Sequence, residues 1–257
     1  MIELKKMMGF CAFTLSALAL SAPASAVELT VLTTGAFKQV AAALVPVYEA
    51  SSGNRIKLDN DTAGGLARRI EGGATFDVVI LTPGLIKELV TKNKVAPDSV
   101  ANLAQVAIGV MVLNGTPLPK IDTVEHFKQA LLDAKSVAYI DPASGGSSGI
   151  YLAQLFKQWG IADQIDAKAV KVQGGAVAEH IAKGEAVLGI HQISEILPVK
   201  AVTLVGPLPA AIQNYTVYTA AVSSTGAEQA AARDFLKLLT GPEAARVLKE
   251  KGMEAVK

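Results

Sequence analysis

The sequence predicts an α/β fold from three observations. Strand-like and helix-like runs alternate through most of the chain, which is the pattern of parallel strands joined by crossover helices. The 231 residues from Val27 to Lys257 suffice for one large domain or two lobes of ordinary size. The alternation pauses at Asn114-Gly115-Thr116-Pro117, a run of loop residues, and then resumes as a second series.

In order, Glu28 to Thr33 reads as a strand, Ala36 to Ala50 as a helix and Arg55 to Leu58 as the next strand. A short helix over Leu66 to Glu71 and a strand over Asp77 to Leu81 follow, and Pro83 opens a helix to Lys92 at its favoured first position. Gln105 to Leu113 is an apolar run rich in Val and Ile, placed where the chain crosses between lobes. The second series is helix 124–134, strand 136–140, helix 148–159, strand 169–172, helix 176–183 and strand 186–191. The extended stretch Tyr215 to Val222 carries the chain back. Two amphipathic helices end it, Ala227 to Leu239 and Pro242 to Lys251, split by a helix stop and proline start at Thr240-Gly241-Pro242. Two lobes joined by two strands follow, 27–110 with 218–257 as one and 111–217 as the other, with hinges near 108–116 and 215–222.

Residues 1–26 have the form of a cleavable export signal: Lys5 and Lys6, the apolar run Phe10 to Leu20, then Ala24-Ser25-Ala26. The run is too short for a bilayer span of about 20 residues. Cys11, the sole cysteine, lies inside the signal, so the processed chain is held by packing without disulfides. Removing Lys5, Lys6 and Glu3 leaves 22 basic and 22 acidic side chains, a balance that argues against nucleic acid or an anionic membrane as partner. The expected location is the periplasm.

Several strand-to-helix junctions are rich in small residues and short hydroxyls: Thr33 to Ala36, Thr62 to Gly65, Ser144 to Gly149, and Gly174-Gly175. Small residues there let a ligand approach free backbone N–H groups at a helix start, where the macrodipole favours an anion. Such residues are also ordinary caps and turns, and only their repetition across both lobes points to one shared anion. Gly145-Gly146-Ser147-Ser148-Gly149 matches the G-x-S-x-G nucleophile elbow of serine hydrolases, yet Asp141 to Ser144 separate it from the preceding strand. His126, His180 and His191 lie far apart without metal-ligand spacing, so neither metal nor cofactor is expected. His191 stands at the carboxyl end of a strand, where α/β folds bind ligands, although a structural role is the default. Arg68 and Arg69 could supply a cation. Low aromatic content argues against a cleft for sugars or polyamines.

Five stretches, in order along the chain, resemble the periplasmic molybdate-binding proteins that feed importers of the ABC type. They are Leu29 to Phe37, Leu66 to Ala74, Asp141-Pro142 with Gly149 to Tyr151, Gly184 to Ile190 and Leu239 to Ala245. The resemblance implies a type II periplasmic binding protein fold whose lobes close on a small anion and then dock, as a monomer, on an inner-membrane ABC permease. It departs at the ligand. Two family serines that give hydroxyls to the oxyanion correspond to Ala36 and Ala63, an alanine to Ser148, a valine to Gly174 and a tyrosine to Gln192. Two lost charge-assisted hydrogen bonds amount to about 3–6 kcal/mol. The expected ligand is therefore an organic carboxylate or another oxyanion. Its expected contacts are Thr34, Gly35, Ala36, Thr62, Ala63, Gly64, Ser147, Ser148, Gly174 and Gln192. The alternatives are molybdate or tungstate, held by Thr34 and Thr62 in place of the lost serines, a serine hydrolase, and a ligand sensor.

Cleavage after Ala26 is expected on export. Intact mass of the exported protein should correspond to a chain starting at Val27, and a lipid-modified product retaining Cys11 would contradict it.

Overall fold

The computed structural model describes residues 26–256, so the expected export signal, apart from Ala26, lies outside the described residues. The elements are β1 (Glu28–Thr34), α1 (Gly35–Ser52), β2 (Arg55–Asp61), α2 (Ala63–Glu71), β3 (Val78–Leu81), α3 (Pro83–Thr91) and β4 (Ala101–Leu113). Next come α4 (Val124–Asp133), β5 (Val137–Ile140), α5 (Ser147–Gln158), α6 (Ala162–Asp166), β6 (Ala169–Val172), α7 (Val177–Ala182), β7 (Leu188–Gln192), α8 (Ile193–Ile196) and β8 (Val202–Pro207). The chain closes with β9 (Tyr215–Val222), α9 (Gln229–Leu239), α10 (Pro242–Glu250) and β10 (Glu254–Ala255).

The strands run in the order β2-β1-β3-β9-β4-β7-β5-β6, with β8 and β10 also pairing β4. β4 belongs to both halves. Its first part, Ala101 to Ala107, pairs antiparallel with β9, whereas Ile108 to Met111 pairs with β7 and Gly109 to Leu113 with β8. Beside it the chain returns through Leu208, whose N–H donates to Ile108 O at 3.0 Å, and Gln213, whose side chain bonds both the N–H and C=O of Ile108 at 2.9 Å. The two lobes are thus joined by one continuous strand and one short return.

Period-two patterning splits each sheet into two buried faces. In the first lobe Leu29, Val31, Val78 and Ile80 face α1, α9 and α10 through Phe37, Leu44, Phe235 and Val247. Leu32, Val79 and Leu81 face α2 and α3 through Leu66, Ile70 and Ile86. Tyr48 meets Phe235 edge-on at 5.1 Å, a favoured aromatic geometry. In the second lobe Val110, Val137, Tyr139 and Ile190 pack on Phe127, Leu152 and Phe156, while Met111, Ala138 and Ile140 pack on Ile181 and Ile196. Trp159 is a packing residue, edge-on to Phe127 at 6.1 Å.

The sequence reading omits α6, α8, β8 and the two-residue β10. α6 and α8 span only 5 and 4 residues, too few for helical periodicity to register, and β8 is a partly exposed strand without clean alternation.

Parallel β1, β2, β5, β6 and β7 bring their carboxyl ends to the space between the lobes. There α5 starts tightly against β5: a Cβ added to Gly149 would stand 2.0 Å from Ile140 O, a backbone atom that cannot give way cheaply. Gly149→Ala should therefore lower stability by roughly 1–3 kcal/mol, the range for overpacking. Urea unfolding should show a lower midpoint at unchanged slope, and an unchanged midpoint would contradict the contact.

Candidate ligand-binding site between the lobes

A small cavity of about 40 Å³ lies where the lobes meet. Thr34 ends β1, Asp61 ends β2, Ile140 ends β5 and Gln192 ends β7, and all four line it. Ligands of open α/β sheets bind outside the carboxyl ends of strands, because there helix starts turn their unpaired N–H groups outward. Gly35 and Ala36 open α1, Ala63 opens α2, and Ser147 and Ser148 open α5 on the same lining. Asn60, Thr62, Gly146, Gly175, His191, Glu195 and Tyr218 complete it.

Of the ten residues expected from sequence, all but Gly64 and Gly174 line the cavity. Gly64 is not among the lining residues, and its N–H is spent on Gly145 O of the other lobe at 3.0 Å. Gly175 takes the place of Gly174. The start of α2 is also largely satisfied from within: the Gly65 N–H donates to Thr62 Oγ1 at 3.0 Å and the Thr62 N–H to Asp61 Oδ1 at 2.7 Å. The starts of α1 and α5 are left to face the cavity. Thr34 Oγ1 and Ser148 Oγ are buried there without a protein partner. Gln192 acts partly through Ser147: its Nε2 donates to Ser147 Oγ at 2.8 Å, and Thr216 Oγ1 donates to the same oxygen at 3.3 Å.

The lobes are drawn together beside the cavity by α2 and the turn before α5. Thr62 Oγ1 donates to Ser144 O at 2.5 Å, and Arg68 Nη2 donates to the same carbonyl at 3.0 Å. A Cβ on Gly64 would lie 2.8 Å from Gly145 Cα, and one on Gly145, which has φ +83°, 2.7 Å from Gly64 Cα. Arg68 is therefore an interlobe tie, and Arg69 pairs with Asp59.

The hydrolase geometry is missing at the serines. Ser147 bonds Gln192 and Thr216, and Ser148 Oγ has no partner, so neither is held by a histidine base. The histidine in the cavity, His191, faces a carboxyl instead. His191 Nε2 stands 3.3 Å from Glu195 Oε2, with the two side chains 2% and 12% exposed. Burial pushes the imidazole down to about 3 and the Glu195 carboxyl up to about 8, the latter despite the opposing pull of Lys38. Burial thus disfavours the charged form of both groups, and together they hold one titratable proton at neutral pH, on the Glu195 carboxyl. Burial also raises the Tyr218 hydroxyl well above its ordinary range.

Glu195 is a buried cavity residue that the sequence reading does not single out. It sits on α8, and the one available signal was its four-residue spacing from His191, across a strand end that becomes a helix start. Asn60, Asp61 and Tyr218 were hidden because β2 extends to Asp61 and because Tyr218 arrives from the last strand of the first lobe.

A family model described as bacterial extracellular solute-binding protein matches residues 29–254. The chain belongs to this family. Its members supply the expected partner, a small ligand, and no helix among the described residues is long and apolar enough to cross a membrane. Aconitate isomerase of Pseudomonas sp is 34% identical over 236 residues, covering 89% of this chain and 88% of that protein. The periplasmic molybdate-binding protein of Azotobacter vinelandii superposes with a TM-score of 0.76 at 20% identity, covering 90% of this chain and all of that one. The sulfate-binding protein of Mycobacterium tuberculosis H37Rv gives 0.74 at 18% identity, covering 90% and 88%. These two likenesses establish the two-lobed binding-protein fold.

The retained proton has a consequence for stability. Folded, the His191–Glu195 pair holds one proton between about pH 3 and 8; unfolded, with ordinary values of 6.5 and 4.5, it holds two below 4.5, one up to 6.5 and none above. Stability rises with pH wherever the unfolded chain binds more protons. The pair's contribution therefore rises from pH 3 to 4.5, stays level to 6.5 and falls by about 2 kcal/mol from 6.5 to 8. Urea unfolding at pH 6 and pH 8 should show this fall, and Glu195→Gln should remove it. Equal pH dependence of the two proteins would contradict the retained proton.

Proposed function

We propose that this chain is an exported binding protein that holds a small organic carboxylate between its lobes and, as a monomer, delivers it to the permease of an ABC importer in the inner membrane. The carrying observation is geometric: helix starts from both lobes and the buried Glu195 carboxyl, whose pKa burial raises, line one small cavity. A protonated carboxyl donates one hydrogen bond to a ligand oxygen, and the starts of α1 and α5 add N–H donors from opposite lobes. Ala36 and Ala63 place no hydroxyl where the family's molybdate cage has one, so the donor set is backbone, Thr34, Ser148 and Glu195. Closure brings both halves of that set onto the ligand, which favours the closed state by their combined differential binding. The periplasm is the compartment this role requires.

A second reading has its own support: the bound carboxylate is also isomerised. The similar Pseudomonas sp protein is named for that activity on aconitate. A buried carboxyl such as Glu195, beside His191, is the kind of group that moves a proton to or from a bound carbon acid, because burial raises its pKa towards neutral pH. Ser147 and Ser148 have no part in it beyond binding.

Calorimetry with mono-, di- and tricarboxylates, molybdate, tungstate and sulfate tests the first reading. Saturable binding of a carboxylate with none of molybdate is expected. Sub-micromolar molybdate binding without a carboxylate response would return the site to the oxyanion role, with Thr34 and Thr62 replacing the lost serines. Proton NMR of cis- and trans-aconitate incubated with the protein separates the readings: interconversion lost in Glu195→Gln, with binding retained, supports catalysis. Absence of interconversion leaves a binding protein.

A further inference from the structure

The inner cavity, at about 40 Å³, is small, with room for about three waters at roughly 10–15 Å³ each. A second chamber of about 240 Å³ adjoins it and shares Gly35, Asn60, Gly175 and Glu195 with it as common walls. Both lobes build this outer chamber, α1 from one side and α7 with the residues after α8 from the other. Gly35 makes the junction possible: a Cβ there would meet Glu195 Oε1 at 2.6 Å, so the absence of a side chain lets the carboxyl lie against the start of α1 between the two spaces.

The outer chamber carries one cation, Lys38, on the face of α1 one turn beyond Gly35. Lys38 is exposed to solvent and lines this chamber together with Glu195. Among the ion pairs of the described residues none involves Lys38. Across the chamber stands Glu179 of α7, exposed to solvent.

We propose that the outer chamber is the subsite for the second carboxylate of a di- or tricarboxylate, held by Lys38 while the first carboxylate occupies the inner cavity. This rests on the reading of the inner cavity as a carboxylate site and adds what selects among carboxylates. A monocarboxylate fills the inner cavity alone, and an inorganic oxyanion has no second group to offer Lys38. A polycarboxylate gains a charge-assisted contact from the cation and lies past Glu195, with its carbon chain against the shared wall. Glu179 opposes the same anion from the far side and so limits the chamber to one added carboxylate.

The test is binding of propane-1,2,3-tricarboxylate by calorimetry and of acetate by NMR titration, to the full processed chain and to Lys38→Met and Glu179→Gln, with thermal melts confirming that each variant is folded. Lys38→Met should bind the tricarboxylate about tenfold to a hundredfold more weakly, the loss of one charge-assisted hydrogen bond, while acetate binding stays unchanged. Glu179→Gln should bind the tricarboxylate as well as or better than the parent. Undiminished tricarboxylate binding by Lys38→Met would overturn the subsite. So would equal weakening of both ligands, which would place the lysine's effect on the inner cavity through Glu195. Weakening by Glu179→Gln alone would assign the chamber to a cationic group instead. If neither ligand binds the parent protein, the inner-cavity reading fails and the subsite falls with it; acetate binding with normal Lys38→Met behaviour overturns only the subsite.

Discussion

Everything at the site depends on how closely two backbones approach at Gly64 and Gly145. With no Cβ on either residue, α2 and the turn before α5 touch directly, and the Gly64 N–H, Thr62 hydroxyl and Arg68 guanidinium all reach carbonyls of the opposite lobe. A side chain at either position would have to force the lobes apart. The approach closes the lobes over a small cavity and largely excludes the Glu195 and His191 side chains from the surface. That exclusion drives the electrostatics, because desolvation is the first cause of both the raised Glu195 and the lowered His191 pKa. Seam, cavity and the desolvation of Glu195 and His191 are thus successive effects of one steric permission.

The donors in the cavity follow from topology. Parallel strands whose crossover helices start at one edge deliver helix N-termini to that edge, and two such lobes facing each other deliver them to a common point. Which ends remain open is settled locally. The start of α2 has its own acceptors in Asp61 and Thr62 and a further one in Gly145, so it serves the seam, whereas α1 and α5 keep their first turns for the cavity. Thr34 and Ser148 then stand out as buried hydroxyls without protein partners, at a place where a ligand oxygen would satisfy them.

A buried carboxyl beside a buried imidazole is a costly thing to keep inside a cleft between lobes. Its stability cost grows as pH rises above 6.5, so its presence asks for a compensating use. Recognition supplies one use, since a neutral carboxyl donates to an anion where an ionised one would repel it. Proton transfer supplies another, and closure serves both: the same exclusion of water that strengthens a hydrogen bond also protects a carbanion-like state from solvent. A solute-binding fold and an isomerase therefore differ less in architecture than in whether the ligand offers an acidic carbon beside that pair.

Much of the fold was legible in the sequence because it rests on local patterns. Alternation of Leu29, Val31 and Leu32, or of Val78 to Leu81, assigns a strand and both of its buried faces, and Pro83 and Pro242 mark helix starts by a backbone rule. The junction residues Thr34 to Ala36 and Ser147-Ser148 were legible for the same reason, since small residues at strand ends are a local signature. The spending of Gly64 on Gly145 was decided only by the tertiary structure, because it depends on a residue 81 positions away. Glu195 shows the limit most clearly: its four-residue helix is too short to have a period, and nothing in its neighbours marks it as buried. Its pKa, its histidine partner and its place between two chambers come from α1, α7 and β7 closing around it, and desolvation by distant segments is a property that no local run of residues encodes.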